Sequence, residues 1–218
     1  MSTFDTQLVE DVTSELYWDP KVDNADVTVT ADDGRVTLTG TVGSVREKRE
    51  AKKAAERVFG VISVDNQVRV KTASEAARED AQLRDDVQNA LTLDLIVPVT
   101  VGVDVQNGIV TLAGTVEWQY QRDEAELVAS NIAGAVDVFD EIVLAGPKPD
   151  AYDVKESIKG AFRRNAALDA DSLSVVTSNG TVTLQGKVSS WAEHDEAIGT
   201  AWAAPGVTSV QDEMSVGY

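Results

Sequence analysis

Apolar positions recur along this chain with two periods that alternate in a fixed order. A helical stripe at i, i+4 and i+8 opens the pattern: Leu8, Val12, Leu16, then Leu83, Val87, Leu91, then Val154, Ile158, Phe162. After each stripe comes a strand such as Val27-Thr-Val29 or Val99-Thr-Val-Gly-Val103. A two-residue turn follows, Asp33-Gly34, Asn107-Gly108 or Asn179-Gly180. Such pairs tolerate positive φ and predict type I′ hairpins. The next strand alternates, with Val36, Leu38 and Val42 inward and Thr37 and Thr39 outward. A second helix then carries residues 51, 54, 55 and 58 on one face, with counterparts Ala125, Val128, Ala129, Ile132 and Ala197, Thr200, Ala201, Ala204. Gly60, Gly134 and Gly206 are placed as helix C-caps before a last strand, Val61 to Val70 in the first instance.

The chain is therefore one unit written three times. DDGRVTLTGTV, VQNGIVTLAGTV and TSNGTVTLQGKV align without gaps, and Gly34, Gly40 and Gly60 recur at constant offsets of 74 and then 72. The predicted fold class is α+β: three αββαβ units over 4–71, 76–145 and 150–218, each a three-stranded mixed sheet covered by two helices. Thr72-x-x-Glu75 reads as a capping box that starts the second unit's first helix near residue 73. Gly146-Pro-Lys-Pro149 is a helix-hostile break before Asp150 as an N-cap. A unit of about 65 residues buries only about 60% of its chain surface, so packing between units is expected.

The repeated pattern, a turn followed by G-x-V-x-L-x-G-x-V, a helix and G-V-x-x-V-x-[ND], resembles the BON domain, named for bacterial osmotically inducible and nodulation proteins. It is carried by Gly34 to Val42 with Gly60-Val61-Ile-Ser-Val64-Asp-Asn66 and by the two sister segments, departing at Gly134-Ala135 and at Lys187. The resemblance implies an αββαβ sandwich, no known catalysis, envelope or stress contexts, and proposed phospholipid binding.

Composition narrows the chemistry. Among 218 residues there is no cysteine and one histidine, with a net charge of −18. Thiolate nucleophiles, disulfides, iron–sulfur clusters and Cys-bearing zinc sites are excluded, and no cofactor or metal is expected. The acidic balance argues against nucleic acid as a partner. The acidic start and the absence of a long apolar run predict no signal peptide and no transmembrane segment, hence a cytoplasmic protein, or a periplasmic one if a signal was removed. Motif-like strings reduce to the repeat. Gly180 to Val188 lacks P-loop spacing, Gly40-Thr-Val-Gly43 has no basic flank as a KH loop would, and Asp169-x-Asp171 lacks the glycine and glutamate of a calcium loop. His194, between Glu193 and Asp195 and aligned with Lys48 and Arg122, reads as a solvated surface residue, so no enzyme is predicted.

Charge is uneven. Residues 4–71 net −3, residues 72–145 net −11 and residues 146–218 net −4. The first unit's second helix is locally +3, with Arg46, Arg49, Lys53 and Arg57 along one flank. That flank reads either as a solvated face or as a contact for an anionic phospholipid surface or another protein, and the second unit is acidic enough to supply the partner surface itself. Trp118 and Trp202 replace polar residues of the sister copies (Ser44 and Ser190; Glu56 and Ser130) and are expected at interfaces. Two functions stay open: a stress-related protein that binds anionic phospholipid weakly, and a protein–protein adaptor without lipid affinity. Oligomeric state is not legible.

Overall fold

A computed structural model describes residues 3–71, 79–145 and 151–217, with the side chains of 151–153 left out. The Thr72 capping box and the Gly146–Asp150 break fall outside the described residues. Repeat 1 runs α1 (Thr3–Trp18), β1 (Val27–Asp32), β2 (Arg35–Val42), α2 (Val45–Glu56), β3 (Ser63–Asn66) and β4 (Arg69–Val70). Repeat 2 runs α3 (Asp80–Leu93), β5 (Gly102–Gln106), β6 (Ile109–Val116), α4 (Gln119–Ser130) and β7 (Asp137–Leu144). Repeat 3 runs α5 (Ala151–Arg164), β8 (Leu173–Ser178), β9 (Thr181–Val188), α6 (Trp191–Trp202) and β10 (Ser209–Val216). The αββαβ order holds in all three, and β3 with β4 is one broken last strand.

Each sheet is mixed, as expected. The hairpin strand lies in the middle: β1 pairs antiparallel with β2, and β3 and β4 pair parallel with it. Repeat 3 repeats this with β8, β9 and β10. The turn residues Asp33, Asn107 and Asn179 have φ of 50°, 53° and 49°, and the glycines after them are also positive, which is the type I′ geometry read from the sequence. A second glycine is needed for a different reason. At Gly40, Gly114 and Gly186 the backbone of the incoming strand crosses so close that a Cβ would overlap the carbonyl oxygens of Asp26, Thr100 and Ser172. Only glycine fits there.

The cores of repeats 1 and 3 each belong to their own repeat. Leu8, Val12 and Leu16 of α1 meet Val36, Leu38 and Val42 of β2 and Ala51, Ala54 and Ala55 of α2. In repeat 3, Ile158 and Phe162 meet Val182, Leu184, Ala197 and Ala201. Alanines on the second helix let it lie close over the sheet, so a small unit still excludes water from its centre. Two boundaries differ from expectation. β5 starts at Gly102 because the Val101 amide turns back to Pro98. Gly60 and Gly206 are not caps: α2 and α6 end earlier, at Arg57 and Ala203, and the glycines bend the chain toward the last strand.

Candidate functional site

The chemistry-bearing residues gather at three recurring places, each built by the repeat. The first is the hairpin turn. In repeat 1, Asp5 of α1 accepts a hydrogen bond from the Asp33 amide at 3.0 Å. In repeat 2, both oxygens of Asp80 accept from Asn107 and Gly108, at 2.8 and 2.9 Å. A carboxylate in the first helix's opening turn thus clasps the I′ loop. The sequence analysis missed this clasp, because it joins residues 27 and 28 apart with no local signature.

The second place is the start of the second helix. Ser44 and Ser190 cap α2 and α6 by accepting from the amides of Glu47 and Glu193. Glu47 and Glu193 answer by accepting from the amides of Gly43 and Ser189, the residues just before the caps, a close variant of the capping box. In repeat 2 Trp118 stands at the cap position, and Gln121 accepts from the Glu117 and Trp118 amides instead. Burial disfavours the Glu193 carboxylate. Hydrogen bonds from the Asp169 amide and from the Ser189 amide and hydroxyl outweigh that and hold it below the usual carboxylate range.

The third place joins the second helix to the last strand. His194 is not the solvated residue expected: its side chain is only 10% exposed. Its Nε2 lies 2.8 Å from Asp212 Oδ2 on β10, its Nδ1 lies 3.1 Å from Asp195 Oδ1, and its ring meets Trp191 edge-on. Burial lowers its pKa, but the bonds to Asp195 and Asp212 outweigh burial and raise it above 6.5. The helix alone concealed this, since the partner comes from a strand eighteen residues on. The same slot in repeat 1 holds Asn66, whose side-chain amide donates to the Lys48 carbonyl at 2.6 Å. Asn66, Asp140 and Asp212 also each accept the amide two residues on. The [ND] of the repeat therefore fastens the last strand, and in repeat 3 the histidine ring ties into the same fastening.

The basic flank divides. Arg46 donates to Asn131 at 2.9 Å, and Arg49 lies 3.0 Å from Glu126 and 3.3 Å from the buried Ser130 hydroxyl. Lys48 stands 3.6 Å from Asp137. These three residues of repeat 1 thus face the end of α4, the turn after it and the start of β7 in repeat 2. Arg57 turns the other way, to Glu15 and Asp19 at 2.8 and 2.7 Å. The Lys21 amide and the Arg57 guanidinium hold the Asp19 carboxyl below its usual range. Lys53 is exposed. Trp118 is half-buried, and Trp202 is half-buried against the core of its own repeat.

No group of three or more His, Cys, Asp or Glu side chains is placed to hold a metal ion among the described residues, and no helix there is long and apolar enough to cross a membrane. Three αββαβ repeats, tied by polar clasps, define a protein of tandem small domains. The BON-domain family model matches residues 4–72, 79–146 and 150–218, and the chain belongs to that family. It is 32% identical over 143 residues to osmotically-inducible protein Y of Escherichia coli (strain K12), covering 63% of this chain and 71% of that protein. Structural studies of CdsD, a structural protein of the Type III secretion system of Chlamydia trachomatis, provide a further match at 15% identity, covering 97% of this chain and 92% of that one. The TM-score is 0.28, a likeness that carries no argument.

Proposed function

We propose that this chain is a non-enzymatic protein–protein adaptor of the osmotic stress response. The stress context comes from its likeness to osmotically-inducible protein Y. The observation that carries the adaptor reading is the exposure of large apolar side chains where the first helices of repeats 1 and 2 end: Tyr17 and Trp18 in one, Leu93 and Leu95 in the other. Exposed apolar groups that cluster mark contact surfaces. Meanwhile Arg46 and Arg49, half of the flank that would meet anionic headgroups, already face repeat 2.

A photo-crosslinking residue placed at Trp18 and at Leu95, in cells under osmotic stress, tests the adaptor. Discrete protein adducts at these positions and none at Val176 of repeat 3 are expected; equal labelling everywhere speaks against it. Anionic phospholipid is the second reading, favoured by the exposed Lys53 on α2. Cosedimentation with phosphatidylglycerol vesicles at low salt separates the two. Binding that is lost in Arg49→Glu with Lys53→Glu replaces the adaptor by the lipid reading, and its absence removes lipid.

A further inference from the structure

The connection between α3 and β5 has an unusual division of its side chains. Asp94 accepts from the Ile96 and Val97 amides, at 2.7 and 3.1 Å, and the Val101 amide returns to Pro98 at 3.1 Å. Val97 and Val101 are buried beneath it. Anchored in this way, the loop holds Leu93, Leu95 and Val99 outward at 83%, 101% and 91% exposure, with Ile96 beside them. Fixing apolar side chains in water has no benefit to the fold of repeat 2. Repeat 3 differs: its α5 ends in Arg163 and Arg164.

Charge identifies what would cover this surface. Between Arg84 and Arg122 there is no Lys or Arg; Asp85 is paired with Arg84 at 2.9 Å, while Asp94 at the start of the connection and Asp104 on β5 are acidic. An apolar tip flanked by carboxylates repels an anionic membrane, and the same tip of a second copy carries the same sign. It complements a helix with one apolar and one basic face. We propose that the α3–β5 connection of repeat 2 docks a cationic amphipathic helix of a partner protein. This rests on the adaptor reading and names the chemistry of one partner.

The probe is a fluorescein-labelled amphipathic helix of Leu and Lys, titrated against the full chain at about 0.15 M salt, where charges beyond about 8 Å are screened. Anisotropy should show saturable binding. Leu95→Ser with Val99→Ser should weaken it at least tenfold, while Val176→Ser, at an exposed valine of repeat 3, leaves it unchanged. The double variant should keep the wild-type melting curve, because neither side chain packs. Equal binding of a scrambled peptide of the same charge, or no loss in the double variant, overturns the inference and leaves the adaptor reading standing. Wild-type dimers that dissociate in the double variant would assign the surface to a second copy instead. Binding to phosphatidylcholine vesicles that the double variant abolishes would overturn both readings.

Discussion

Replacing Asp212 by Asn keeps the shape of the side chain and its bond to the Met214 amide but removes the charge that faces His194. The wild-type pair has Nε2 and Oδ2 at 2.8 Å, with the imidazole 10% and the carboxylate 40% exposed. A hydrogen bond between charged groups contributes about 1.5–3 kcal/mol. Solvent screening at the half-exposed carboxylate reduces this to about 1 kcal/mol. For a domain of this size that corresponds to a fall of about 4–8 °C in the melting temperature of repeat 3. The titration is the sharper assay, because His194 is the sole histidine and its imidazole proton resonances need no assignment. In the wild type the midpoint should lie above 6.5. In Asp212→Asn burial is opposed only by the more exposed Asp195, and the midpoint should drop. Protonation therefore favours the folded state: the contribution is complete below the unfolded value of about 6.5 and is lost as pH rises through the folded midpoint. Repeat 3 should accordingly melt higher at pH 6 than at pH 9, and Asp212→Asn should flatten that difference. An identical midpoint in the two proteins would refute the tie.

Two further outcomes test other parts of the architecture. Gly114→Ala, at φ 139° with its Cβ directed onto the Thr100 carbonyl, should destabilise repeat 2 by at least about 1–3 kcal/mol, read from denaturant unfolding. A double-mutant cycle with Arg49→Ala and Glu126→Ala should give a coupling of about 0.2–1 kcal/mol that fades with added salt; zero coupling at low salt would mean that repeats 1 and 2 do not meet there.

Much of the fold was legible because its determinants are local. The I′ turns at Asp33-Gly34 and its sisters, the stripes on α1, α3 and α5, and the alanine faces of the second helices each follow from spacing within a few residues. What escaped the sequence involves partners brought in by the sheet. Asp212 reaches His194 only because β10 runs parallel to β9 in a register that sets Asp212 opposite Leu184. Asp80 reaches the Asn107 turn only because α3 packs back over its own hairpin. For the basic flank, spacing displayed four cations but not their direction. Arg46 and Arg49 point toward α4 and Arg57 toward α1, a division set by where along α2 each one falls. The exposure of Leu95 depends on Asp94 folding the loop beneath it, which spacing along the chain does not show.

The central strands VTLTGTV, VTLAGTV and VTLQGKV are nearly interchangeable in sequence, and each occupies the middle of its sheet. A middle strand from one copy presents the same edges to a first or last strand as its neighbour's does, so a chain released all at once from denaturant has several nearly equivalent pairings to sort. Synthesis from the N-terminus avoids much of this competition, because the first copy can close its sheet before the second has left the ribosome. The tandem similarity that makes the fold easy to read thus makes the order of emergence part of how the chain finds it.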